Sequence, residues 1–121
     1  MYISELVQWL WPKLIQQELD GFKERMNNHK VRSDINKMNP SGVSPNVCYA
    51  LCQKYGGENC LQPIDIALVR GLMEDIGGED LVHFVSLEYA TRVQGVYDGL
   101  NVGKLSFENV WLIFSAMLPL V

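Results

Sequence analysis

The side chains of this chain that could meet a charged ligand gather between positions 23 and 37. Five of them are basic (Lys23, Arg25, Lys30, Arg32 and Lys37) against two acidic, Glu24 and Asp34. His29 sits among them, directly after the amide pair Asn27-Asn28. Lys23, Arg25, His29, Lys30 and Arg32 are the candidates for phosphate contacts, which fix the position of a nucleic acid without reading its sequence. The plainer alternative is a set of solvated cations that complement the dipole at the end of a helix. Asn27 and Asn28 read as a helix-end turn, their amides bonding carbonyls that the helix leaves open. The basic excess is mild, far below the footprint of a dedicated nucleic-acid binder.

Other chemistry finds little support in the residue types. Cys48, Cys52 and Cys60 follow a C-x3-C-x7-C spacing that does not match zinc sites, and neither His29 nor His83 has a ligand partner nearby in sequence. No metal site and no cofactor are expected. The odd cysteine number, with no export signal in "MYISELVQWLW", predicts reduced thiols. Gly56-Gly57 and Gly77-Gly78 read as helix stops and not as phosphate loops. No serine lies in a nucleophile-elbow pattern, and His83 in "LVHFVSL" reads as a packed or rim histidine. No residue is assigned a catalytic role, and enzyme activity is not expected.

The 121 residues carry a net charge of −4, unevenly spread. Residues 1–40 hold six Lys/Arg against five Asp/Glu, whereas residues 41–121 hold four against nine. A partner of the acidic part is therefore not nucleic acid. No apolar run approaches the roughly 20 residues that cross a bilayer, so no membrane contact is expected and the location reads as cytoplasmic or nuclear. The aromatic residues point to a protein partner. Trp9 and Leu10 near one end, with Trp111 and Phe114 near the other, are candidate anchors of an interface, and a homodimer is one form it could take. The competing reading places all four in the core.

The elements that must position these residues are helices. Ile3, Val7, Trp11, Ile15, Leu19, Phe22 and Met26 recur every three or four residues and predict one long helix over 3–27 with this stripe buried. Pro12 interrupts it, so a kink or a break is expected there. Ser44-Pro45 predicts an N-terminus and a helix over 45–55, with Gly56 ending it. Pro63 is read as opening a third helix over 63–76, apolar on two sides and hence central. Val82, Val85, Tyr89, Val93, Val96 and Leu100 predict a fourth over 80–100. Ser106 is read as capping a fifth over 106–118, its buried face formed by Phe107, Val110, Trp111, Phe114, Met117 and Leu118. The expectation is an all-α fold, a compact bundle of about five helices in a single domain, 1–121.

One stretch also carries a likeness. "PKLIQQELDGFKERMNNHKVRSDINKMNPSGVSPNVCY" (12–49) resembles the end of the integrase core domain in transposon-derived proteins abundant in mushroom-forming fungi. The shared features are Leu14-Ile15-Gln16, Leu19-Asp20, Asn27-Asn28-His29, Arg32 and the Pro40-Ser41-Gly42-Val43-Ser44-Pro45 loop. Met26 stands where those proteins usually have tryptophan. "KYGGENCLQPID" and "ENVWLIF" look similar to their trailing region. The resemblance implies a part in DNA integration, yet integrase chemistry needs three carboxylates on an RNase-H-like sheet holding two metal ions. Only 26 residues precede Asn27, and they read as helix, so no complete RNase-H-like core is expected. What the resemblance implies here is a noncatalytic helical module acting through binding or self-association. The alternative is an accessory domain that touches nucleic acid through residues 23–37.

Overall fold

In a computed structural model, which describes residues 2–121, the chain is all-α. Five α-helices follow one another: α1 (Tyr2–Asn28), α2 (Pro45–Ala50), α3 (Ile66–Asp75), α4 (Leu87–Gly99) and α5 (Val110–Met117). Short 3-10 segments occupy Cys52–Tyr55, Gly78–Val82 and Leu118–Leu120. No strand occurs among the described residues. The chain divides into two compact units, Met1–Gln17 with Ile64–Val121, and Glu18–Pro63.

The first unit holds the core. Leu6, Leu10 and Leu14 recur every fourth residue on α1 and are fully buried. Against them pack Tyr89 and Val93 of α4, Leu105 of the α4–α5 connection, and Val110, Ile113 and Met117 of α5. Lys13 donates to the Gln94 side chain at 3.0 Å and Trp9 meets Tyr97 edge-on at 5.8 Å, which sets α4 along one flank of α1. Trp11 meets Trp111 at 4.8 Å and Phe114 at 5.6 Å, setting α5 along the other flank. Gln17 donates to the Leu105 carbonyl at 2.6 Å. Ascending residue numbers on α4 and α5 therefore meet descending numbers on α1, and both helices run opposite to it. The connection 100–109 returns along α1 and buries Leu105 on the way.

Two expectations about this unit are corrected, and of the kink or break expected at Pro12 the break is absent. The stripe of α1 that faces inward is Leu6-Leu10-Leu14; Ile3, Val7 and Ile15 of the expected stripe are exposed. Helix α1 is not broken at Pro12 but runs through it. The ring removes one internal hydrogen bond, since Pro12 cannot donate to the Gln8 carbonyl, and the packing on both sides of residue 12 outweighs the loss of about 3 kcal/mol. Helix α3 is not central: none of its residues is buried, and Leu68, Leu72 and Ile76 are each about 60% exposed.

Local punctuation corrects the remaining boundaries. Helix α3 starts after Asp65, whose carboxylate accepts the Ala67 N–H at 2.9 Å, and not at Pro63. The fourth predicted helix is two elements, because the chain leaves the helical conformation at His83 and Ser86 caps α4 by accepting from Tyr89 N–H. Ser106 does not cap α5 directly. Its carbonyl accepts the Asn109 and Val110 N–H groups in a preceding turn, and Asn109 stands at the N-cap. Ser44 caps α2 as expected, its hydroxyl accepting the Val47 N–H with Pro45 at the first position. Gly77, at φ 124°, follows α3 as expected, whereas the helix expected over 45–55 ends at Ala50 and Gly56, at φ 79°, closes the separate 3-10 turn Cys52–Tyr55.

Candidate functional site

The second unit, Glu18–Pro63, has no buried residue and is organised by hydrogen bonds. Asn28 ends α1 by donating to the Glu24 carbonyl at 3.0 Å, while its own side-chain oxygen accepts from Asn46 at 2.9 Å. This clasp ties the end of α1 to the start of α2. Asn27 is half-buried beside it. Between them, Val31 N–H donates to the Val43 carbonyl at 3.0 Å and Gly42 N–H to the Val31 carbonyl at 2.9 Å. Gly42 has φ 79°, a conformation that side chains disfavour, which explains glycine in the Pro40-Ser41-Gly42 turn. Ser41 links the two sides again: its hydroxyl accepts the Asp34 N–H at 2.9 Å and donates to the Asp34 carbonyl at 3.1 Å. The Asp34 carboxylate in turn accepts the Asn36 N–H at 3.0 Å, a side-chain turn of the kind Asp favours. The segment 29–45 is thus an ordered loop that displays its cations outward.

Lys23, Arg25, His29, Lys30 and Arg32 are all exposed. Lys23 lies 3.8 Å from Asp20 one turn earlier, a surface pair of small energetic consequence. Arg25 folds back along α1 toward Gly21. Arg32 lines a shallow cavity of about 500 Å³ with Ser33, Asp34 and Lys37. Lys37 was not singled out with the other five, because nothing in a linear spacing of five residues says that a turn brings it to Arg32. The cavity could meet an anion through two cations and a hydroxyl. Asp34 places a negative charge in the same space and opposes that attraction.

The four candidate interface residues separate. Leu10 is fully buried and belongs to the core, so it cannot contact a partner. Trp9 is half-buried against Tyr97, with the Lys13 ammonium 5.1 Å from its ring centroid and 5.5 Å from that of Tyr97. Phe114 is half-buried between Trp11 and Trp111. Trp111 remains 64% exposed, beside Leu112 at 74%. Only Trp111 of the four keeps most of its surface in water.

A cavity of about 790 Å³ opens along α1 and α4 and was not foreseen. Trp9, Pro12 and His83 line it with Gln8, Gln94 and Asp98. Two of its polar groups bond each other, Gln94 donating to Asp98 at 2.8 Å, and Gln94 also accepts from Lys13 at 3.0 Å. Its residues are scattered over three segments, and no local motif marks them. Cys48, Cys52 and Cys60 are free thiols, two half-buried and one exposed. No group of three His, Cys, Asp or Glu side chains able to hold a metal ion occurs among the described residues. Among the described residues no helix is long and apolar enough to cross a membrane. Set beside family models, curated proteins and solved structures, the chain matches none of them.

Proposed function

We propose that this chain is a noncatalytic, integrase-derived helical module that works by binding a protein partner or a second copy of itself. The observation that carries this reading is an imbalance of apolar surface. Among the described residues nine hydrophobic side chains are buried, while 27 large ones are at least 37% exposed. Scattered surface hydrophobics are ordinary; contiguous ones mark contact sites. They are contiguous on α3 through Leu68, Leu72 and Ile76, and across α1 and α5 through Val7, Ile15, Trp111 and Leu112. The integrase origin rests on the motif order in residues 12–49, and a cytoplasmic or nuclear location goes with it.

The second reading, an accessory domain that contacts nucleic acid through residues 23–37, is favoured by one arrangement. Arg32 and Lys37 share a cavity on a loop held in place by the Ser41 and Gly42 hydrogen bonds. Asp34 in that cavity makes it the weaker reading. Light scattering across a micromolar concentration series, paired with a DNA titration at two salt concentrations, separates the two. Association with no salt-dependent DNA binding supports the interaction module. A monomer whose DNA affinity falls steeply with salt and is lost in Arg32→Ala supports the other. Strand-transfer or nuclease turnover with magnesium or manganese would overturn the noncatalytic assignment.

A further inference from the structure

Two contiguous apolar surfaces lie within the first unit, and their charge differs. Helix α3 ends on Glu74 and Asp75, is followed by Glu79 and Asp80 and is preceded by Asp65, with Arg70 the only cation of 65–80. A second copy meeting that face would bring like charges together. The shoulder formed by α1 and α5 is different. Its exposed residues are Val7 and Ile15 on α1, Trp111 and Leu112 on α5, and Phe107 in the turn before α5; half-buried Trp11 meets Trp111 at 4.8 Å. Residues 109–121 carry no charged side chain at all. Glu5 and Lys13 leave the α1 cylinder away from Val7 and Trp11, at helical offsets of about 200°.

We propose that this neutral shoulder is a self-association surface, paired with the same surface of a second copy about a two-fold axis. The inference rests on the binding-module reading and names the face and the partner. A two-fold contact sets a patch against itself, residue i of one copy meeting residue j of the other, so a patch with an excess of one sign repels its own copy and an uncharged one does not. A chain of net charge −4 pairs with itself best where it carries none. The area is adequate. At about 150–250 Å² per aromatic, the exposed parts of these five side chains supply on the order of 400 Å² of apolar surface. A standard interface buries about 800 Å² per partner, a little over half of it apolar. Trp111, pinned edge-on by Trp11 at 4.8 Å and Phe114 at 6.0 Å, is presented as a rigid aromatic anchor at the centre.

Sedimentation equilibrium of the whole chain tests this, with Leu112→Glu as the main variant and Trp111→Ser as the second. Leu112 is the more exposed of the two, so its replacement should leave the circular dichroism spectrum unchanged. The expected result is a wild-type dimer at micromolar concentration whose dissociation constant rises at least 50-fold in both variants. Leu72→Glu on α3 should leave the dimer intact. A dimer that resists Leu112→Glu but is broken by Leu72→Glu would overturn the shoulder while leaving the binding-module reading in place. A wild type that is monomeric at every concentration would overturn self-association altogether.

Discussion

Two regions of this molecule are held by different forces. Around Leu6, Leu10 and Leu14 the chain is organised by apolar burial, with no buried polar or charged side chain among the described residues. In Glu18–Pro63 nothing is buried, and the loop 29–45 keeps its form through Asn28, Ser41, Asp34 and the paired amides of Val31 and Gly42. The difference teaches where each kind of substitution will act. A methyl group lost from a core leaves a void, whereas a hydrogen bond lost at a surface is partly replaced by water.

The comparison breaks most readily at Leu10. Leu10→Ala should cost about 2–5 kcal/mol in a urea melt; a loss below about 1 kcal/mol would mean that the α1–α4–α5 core is not the stable part. Pro12→Ala should move the other way. It restores a donor for the Gln8 carbonyl and should raise stability by up to about 3 kcal/mol, read as a higher Tm; destabilisation would show that the ring's packing outweighs the missing bond. In the loop, Asn28→Ala and Ser41→Ala should each cost about 1 kcal/mol. Their signature is local: faster amide exchange at Val31 and Gly42, with core amides unchanged. Exchange that accelerates everywhere would merge the two regions into one cooperative structure. The smallest effect is expected on α3, where Leu72→Ala should stay within about 0.5 kcal/mol. A cost above about 2 kcal/mol would show that this helix is covered in solution.

What the sequence disclosed was local. The Ser44-Pro45 start and the Gly56 and Gly77 stops are set by backbone chemistry within a few residues, and they lie where that chemistry puts them. The choice of inward face was not legible on α1. Its apolar residues form two adjacent stripes, and a helical period shows that a face is apolar without saying which neighbour it meets. Leu6-Leu10-Leu14 wins because α4 and α5 grip α1 from both flanks, a fact that lives some 80 residues away. The same limit hid α3, whose pattern is that of a core helix although none of its residues is buried. For α5 the reading was half right: Val110 and Met117 are buried as expected, while Ile113 replaces Trp111 on the inner face. Of the candidate site, Asn28 was read correctly from its place after a polar helix end. Leu10 was misplaced because its neighbours on both sides are tryptophans, and composition cannot divide three consecutive apolar residues between inside and outside.

The long span between Leu14 and its partners has a consequence in time. Leu6, Leu10 and Leu14 are joined to residues 89–117, so the core closes only after most of the chain exists. At about 5–20 residues per second, a ribosome needs on the order of 5–20 s to make the roughly 100 residues between the first of these leucines and the end of α5. During that interval the inner stripe of α1 has no native cover. A newly made chain therefore passes through a window in which α1 is a free apolar helix, open to capture by a chaperone or by a neighbouring nascent chain. The window ends when α4 and α5 arrive together on its two flanks.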